Sequence, residues 1–460
     1  MIIKKDLTKI NDYLWEIPKS FRNDMRVPAR FYASEKMLDE IFRDRSLEQL
    51  VNVATLPGIK KYALAMPDMH EGYGFPIGGV AAIDYKEGVI SPGGIGYDIN
   101  CGIRLLRTGK NFNEIKDYIE NLAESLFKEI PSGVGKGGKL KLSDKELDEV
   151  LNEGAKWVVR KGYGNMDDIE SIESEGSLKE ADASLVSSHA KNRGKDQIGT
   201  MGGGNHFVEI DRIDEIYDKD GADKFGLQKD QIMLLIHTGS RGLGHQVATD
   251  YIKTMIRAMP KYNIKVPDIE LACAPFSSRE GQNYFAAMSA AANFAWANRE
   301  MITWHVRKVW EDIFVGKESE ISLIYDVAHN IAKIEGQTIV HRKGATRAFP
   351  NQPVIIPGSM GTASYLLMGT DKAMEESFGS VCHGAGRKMS RHEALRQSQG
   401  KEVKEELGSR GIIVRTGSIR GLAEEAPYAY KDIDSIVDII SGAGIARKIA
   451  RLKPVAVIKG

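Results

Sequence analysis

Glycine is the residue that most constrains this chain. It supplies 47 of the 460 positions, about a tenth against a usual share of roughly 7%, and it gathers in short clusters. Gly93-Gly94-Ile95-Gly96, Gly202-Gly203-Gly204, Gly239-Ser240-Arg241-Gly242, Gly358-Ser359-Met360-Gly361 and Gly384-Ala385-Gly386 are the densest. Such stretches cannot fill a core. They interrupt regular elements with tight turns and let other groups approach the backbone closely.

The regular elements between them are readable. β-type runs occur at 78–83, 207–210, 233–237, 321–327, 353–356 and 454–458. Ile115, Tyr118, Ile119, Leu122 and Leu126 recur at helical spacing up to Pro131, and Ser143 with Glu146 forms a capping-box pattern. The Ala- and Trp-rich run 279–311 reads as a long buried helix. Strands and helices do not alternate regularly, as a Rossmann or barrel fold would require. The expectation is an α+β fold: one intertwined domain over 1–460, a mixed β core surrounded by helices, with about 111–195 a helical excursion.

Composition removes other classes. Lys plus Arg (63) balances Asp plus Glu (63), so binding by bulk charge is not expected, although a local basic groove fits a neutral total. At 42% hydrophobic and 27% charged residues, general disorder is excluded. Three cysteines make no disulfide framework and suit a reducing compartment. The longest apolar run, 284–297, carries Ser289 and Asn293 and is too short to span a bilayer. The N-terminal residues have no extended apolar run or cleavage site, so a soluble, cytoplasmic monomer is expected.

Several histidines share one setting, the end of an apolar run or a glycine-rich turn: His206, His237, His329 and His383. Singly, each could be a satisfied core histidine. Together they describe how imidazoles from distant parts of a chain reach one cavity. Asp98 and Cys101, three apart in a glycine-bounded turn, add a carboxylate and a thiolate. Cys273 and Cys382 lack a CxxC partner, so this is no zinc-finger pattern. Mixed O, N and S donors suit one or two catalytic ions, Mn²⁺ or Zn²⁺, with the sulfur able to bridge. The clusters 357–362 and 383–387 read as anion cradles, with Arg241, Arg342, Lys343, Arg347 and Arg387 as nearby cations. Neither cradle is a Walker A loop, and Gly133-Val134-Gly135-Lys136-Gly137 also fails that pattern.

Taken together, these segments resemble the RtcB family of RNA-splicing ligases. The matching stretches are MPDMHEGYGFPIGG (66–79), 93–101, GTMGGGNHFVEI (199–210), 237–245, 326–332, HRKGATRAFP (341–350), 357–361 and 382–387, in the right order. The triple glycine 202–204 replaces a Gly-Ser-Gly common in the family, a change that touches no ligand. The resemblance implies a 3′-phosphate/5′-hydroxy nucleic acid ligase. Such an enzyme joins RNA ends bearing a 2′,3′-cyclic phosphate or 3′-phosphate to 5′-hydroxyl ends, in tRNA splicing or RNA repair, with GTP as co-substrate, two Mn²⁺ ions and, in many members, the protein archease as partner. It implies that Cys101 bridges the ions, with Asp98 and His206 on one and His237 and His329 on the other, and that His383 is the nucleophile that takes up GMP. It also implies a guanylate pocket formed by Asn205, His206, Phe207, Val208 and Glu209, by His329 and Asn330, by Pro357, Gly358, Ser359 and Met360, by Ser364, by His383, Gly384, Ala385 and Gly386, and by Lys459. Glu209 is placed there to complement Lys459 on the guanine edge. A covalent histidine needs a partner on its other nitrogen, and Asp68 is the expected one. A two-metal phosphoesterase would use the same ions with water, but it would not need His383 and a nucleotide cradle. A non-catalytic RNA-binding module would account for the basic segments but not for the Asp98, Cys101 and histidine set.

Overall fold

The computed structural model describes residues 2–314 and 320–460. Two sheets form its centre. In the first, Thr8–Lys9, Leu14–Ile17, Ala29–Tyr32, Ile59–His70, Ile77–Asp84, Thr338–Lys343 and Asn330–Glu335 lie side by side. In the second the order is Ile321–Ala328, Gly102–Asn111, Gln231–Thr238, Phe207–Ile216, Ala446–Lys459, Ser364–Gly369 and Pro353–Ile356. Ile413–Thr416 adds to Ala446–Lys459 in parallel, and Ala29–Tyr32 pairs in parallel with Ile59–His70; the other pairs within these two sheets are antiparallel. Each sheet also joins strands from distant parts of the sequence, Ile77–Asp84 with Thr338–Lys343 in the first and Phe207–Ile216 with Ala446–Lys459 in the second, so the chain is intertwined and α+β, as expected.

The second sheet sets the site. Register places Ala328 opposite Gly102, Gly102 opposite Thr238, His237 opposite Phe207, and Phe207 opposite Lys459. Five adjacent strands therefore end along one line. That line carries His329, Cys101, His237, His206 and Lys459, each within one residue of a strand terminus. A strand end lets a side chain leave the ladder while its neighbour's backbone bonds still fix its position.

Behind this sheet runs the helix Arg279–Ile313, 35 residues and about 50 Å long at 1.5 Å per residue. Ser278 Oγ accepts from Gly281 N at its start, and Phe294, Trp296 and Trp310 are fully buried along it. The segment expected as a helical excursion is packed onto this helix. Ile119–Glu129, Asp144–Glu153 and Ala155–Arg160 all contact it, and Leu122, Leu147 and Trp157 share one buried cluster with Trp296 and the strand residues Val208 and Ile236. The Ser143 cap forms as expected, with Ser143 Oγ accepting from Glu146 N and Glu146 Oε2 accepting from Ser143 N. No helix among the described residues is long and apolar enough to cross a membrane.

Candidate metal centre and adjoining cleft

Cys101 lies at the middle of the line of strand ends. Its Sγ is 3.2 Å from His237 Nε2 and 3.4 Å from His206 Nε2, and His206 Nε2 is 2.8 Å from Asp98 Oδ2. Two donor triads share this sulfur: Cys101 with His237 and His329, and Asp98 with Cys101 and His206, the donor atoms of each lying within 4.8 Å of one another. Backbone groups hold the carboxylate in place. Ser240 N donates to Asp98 Oδ1 at 3.0 Å, and Gly239 beside it leaves the space for the carboxylate, since a Cβ there would meet Asp98 Oδ1 at 2.3 Å.

Burial sets the protonation of these groups. It drives the imidazoles of His237 and His329 well below their ordinary range, and the neighbouring histidines add to the effect, so both rings are neutral with a lone pair available at pH 7. Burial, then the charge of Asp98, pushes the Cys101 thiol well above its ordinary value. For Asp98 burial pulls upward, but the hydrogen bond and charge of His206 outweigh it and hold the carboxyl below its usual range. Nδ1 of His237 and Nδ1 of His329 are buried without a hydrogen-bond partner among the described residues. A divalent cation is the group that suits such a set of convergent donors, because it deprotonates a coordinating thiol and takes the lone pair of a neutral imidazole.

The support behind the donors was missing from the sequence reading. Arg299, on the long helix, donates from Nη1 to the carbonyls of Asn100 (2.8 Å) and Thr238 (2.9 Å), which flank Cys101 and His237. Its other face grips both oxygens of Asp326 at 2.8 Å, on the strand that leads into His329. Arg104 joins Asp326 and Glu300 in the same fully buried network. Asn298 adds bonds to Thr200 O and Gly239 O.

His383 lies beyond His329, ring centroids 4.9 Å apart. The partner expected for it is present: Asp68 Oδ2 is 2.6 Å from Nδ1 and also accepts from His383 N at 3.2 Å. An ionised carboxylate can only accept, so Nδ1 carries the proton and Nε2 keeps its lone pair. The approach of the two segments depends on Gly386. Its φ of +72° is left-handed, and a Cβ there would meet Asp68 O at 2.1 Å.

A cleft of about 1120 Å³ opens in front of His383, with Asn205, Phe207, His237, His329, Asn330 and Lys459 among its walls. Pro357, Gly358, Ser359 and Met360 line one side, and Gly384, Ala385 and Gly386 another. Ser364 lies just behind, its Oγ accepting from Gly358 N at 3.2 Å. His206 belongs to the metal centre, and Val208 turns into the core on the opposite face of its strand. Glu209 is buried on the same strand face as Phe207, with Oε1 unpartnered. Burial, the charge of Asp211 and the opposing charge of Lys459 set its carboxyl well above the usual range. Lys459 is 3% exposed, with Nζ 5.9 Å from the Phe207 ring. Glu425, Tyr430 and Lys431 also wall the cleft and were not found from sequence. Glu425 is held by Arg387 (3.0 Å) and Arg391 (2.8 Å). Arg347, expected among the phosphate contacts, faces away, bonded to Gln352 and beside Glu173.

Two donor triads sharing one cysteine, with a carboxylate-paired histidine at a nucleotide-sized cleft, define a candidate two-metal centre on an α+β fold. The family model described as tRNA-splicing ligase RtcB matches residues 49–460, and the chain belongs to that family. It is 52% identical to the protein named tRNA-splicing ligase RtcB of Thermococcus kodakarensis and 51% identical to that of Archaeoglobus fulgidus, over 99% of each chain. The protein of the same name from Nanoarchaeum equitans is 52% identical over 99% of both chains.

Proposed function

We propose that this protein is a GTP- and Mn²⁺-dependent RNA ligase that joins 2′,3′-cyclic phosphate or 3′-phosphate ends to 5′-hydroxyl ends, in tRNA splicing or RNA repair. The observation that carries this reading is the Asp68–His383 pair. A histidine fixed through Nδ1 at the floor of a 1120 Å³ cleft has its Nε2 free for covalent work. His383 Nε2 attacks the α-phosphorus of GTP, a P–N bond forms, and pyrophosphate leaves. The GMP then passes to the RNA 3′-phosphate as a mixed anhydride, which restores the imidazole. The 5′-hydroxyl finally attacks that phosphate, and GMP leaves as a phosphodiester forms. A cyclic phosphate must first be hydrolysed to the 3′-phosphate.

The chemistry accounts for the residue types. A terminal phosphate monoester is a poor electrophile because it lacks a good leaving group, and GMP provides one. Asp98, Cys101 and His206 would hold one ion and Cys101, His237 and His329 the other, where bound ions neutralise phosphate oxygens and lower the pKa of an attacking hydroxyl. In the guanylate pocket, the 357–360 and 384–386 turns would face the phosphates, and Lys459 with Glu209 the base. The names of the family and of its archaeal relatives support ligation of spliced tRNA. The direct test is the intact mass after incubation with GTP and Mn²⁺. One added GMP, mapped to His383, is expected, and an unmodified protein that still joins RNA would sink the covalent route.

A further inference from the structure

The metal centre has a second open side. Asp98 does not line the large cleft, yet its side chain is 30% exposed, against 8% for His206 bonded to it. Solvent therefore reaches the Asp98 side chain at a place that is not among the walls of the cleft that holds His383. Aromatic rings rim that opening. Tyr97, the chain neighbour of Asp98, stacks on His245 with centroids 4.8 Å apart and planes 24° from parallel. Tyr73 meets the other edge of Tyr97 at 5.4 Å and 61°. His245 sits one turn into the helix Arg241–Ala258, whose preceding residue, Ser240, donates its backbone N–H to Asp98. The stack and the carboxylate are thus fixed to the same two segments.

Packing alone does not account for this stack. Tyr97 is half-buried against the core, but His245 on top of it is exposed, and its imidazole makes no hydrogen bond among the described residues. An open pair of near-parallel rings beside a candidate metal centre is what single-stranded nucleic-acid sites use, since every base has a π-face to add to the pile. We infer that Tyr97 and His245 form a base-stacking platform for RNA entering from the Asp98 side. This rests on the ligase reading, which also selects the strand. The 3′-phosphate must reach GMP on His383 and so occupies the cleft. The 5′-hydroxyl needs only to reach the ions, and the Asp98 side leads there without crossing the nucleotide. The platform therefore takes the first bases of the 5′-hydroxyl strand.

The test is equilibrium binding of a short 5′-hydroxyl oligoribonucleotide to the full chain with Mn²⁺, read by anisotropy. His245→Leu should weaken binding about tenfold, the scale of one lost base–aromatic stack, and Tyr97→Leu should act similarly. His245→Phe keeps a flat ring without the imidazole and should bind like the unsubstituted protein. Abasic substitution at the first or second nucleotide should remove the difference between the unsubstituted protein and His245→Leu. A 3′-phosphate oligonucleotide should be indifferent to His245. Equal binding by His245→Leu, an equal loss in His245→Phe, or a dependence confined to the 3′-phosphate strand would each overturn the platform. Failure of the ligase reading shows separately, as no GMP adduct and no joined RNA from the unsubstituted protein, while the binding comparison still decides the stacking.

Discussion

Two buried polar clusters lie back to back in this molecule and handle their charges in opposite ways. In the network of Arg104, Arg299, Glu300 and Asp326, every side chain is fully buried and each charge has an opposite partner at 2.5–2.8 Å, although Arg104 Nη2 and Glu300 Oε1 stay without a hydrogen-bond partner among the described residues. In the centre in front of it, Cys101 faces imidazole nitrogens, and Nδ1 of His237 and of His329 have no partner among the described residues. In the first cluster Arg299 bonds the backbone carbonyls of Asn100 and Thr238, which fixes where two strands end. The second leaves its lone pairs unspent, which is what a ligand shell requires. Positioning and chemistry are thus divided between two neighbouring sets of residues, and substitutions should separate them.

The largest effects belong to the front cluster. Cys101→Ser should lose bound metal and the GMP adduct together, because a hydroxyl is a poor bridging ligand beside a thiolate. Cys273→Ser should be close to silent, since Cys273 is an apolar core residue whose thiol burial pushes up to about 12. Metal analysis and adduct mass on the two variants decide this, and full metal occupancy in Cys101→Ser would refute the bridge. His383→Ala should abolish the adduct while keeping the metal. An adduct retained in that variant, or trapped on a lysine, would move the nucleophile elsewhere.

The rear cluster should fail differently. Arg299→Met leaves Asp326 buried with half its partners and frees the Asn100 and Thr238 carbonyls. Removing one member of a buried ion pair costs about 3–5 kcal/mol, so denaturant unfolding should shift by that order, and metal affinity should weaken as Cys101 and His237 lose their fixed spacing. If stability falls while metal affinity is unchanged, the network only holds the fold together, and the division drawn above is too simple.

Legibility in the sequence followed the same division. The convergent donors could be read because Cys, His and Asp beside glycine are costly choices unless they bind something. The run 207–210 and the helix 279–311 could be read because their apolar pattern is strong, and they fall within Phe207–Ile216 and Arg279–Ile313. The strand Gly102–Asn111 was missed: it opens on glycine and carries Arg104, Arg107 and Lys110, so it does not resemble a central strand. Ile59–His70 was missed too, because Pro67 lies inside it, where the register with its neighbour shifts. Arg299 could not be found, because an arginine on a long helix looks exposed until the partners that bury it are known.

A further substitution probes a link between the clusters. Glu173 Oε2 accepts from Ala328 N, next to His329, while Oε1 meets Lys333 at 2.5 Å. Burial raises its carboxyl, but Lys333 and Arg347 win and lower it from 4.5 to about 2. Between those values the unfolded chain binds the proton and the folded one does not. The contribution, about 3 kcal/mol by linkage, is therefore present above pH 4.5 and is lost as pH falls towards 2. Glu173→Gln should flatten that acid limb in pH-dependent melting. An unchanged limb would mean that other carboxylates carry it.

The smallest expected effect concerns selectivity at the far end of the line of strand ends. Lys459 is a buried cation at the last residue of the strand Ala446–Lys459. Burial lowers its amine below the ordinary lysine range, although Glu425 and Glu209 pull it back up. That position is unfavourable unless something in the cleft uses the charge. Guanine offers acceptors at O6 and N7, whereas adenine presents an N6 donor, so an ammonium favours G. Lys459→Met keeps the stem against Phe207 and removes the charge. The preference for GTP over ATP in adduct formation should fall about tenfold, the equivalent of one modest charged contact, while metal content stays the same. If the ratio of GTP to ATP use does not move, Lys459 is a packing residue whose charge balances Glu425, and the base is read by other groups.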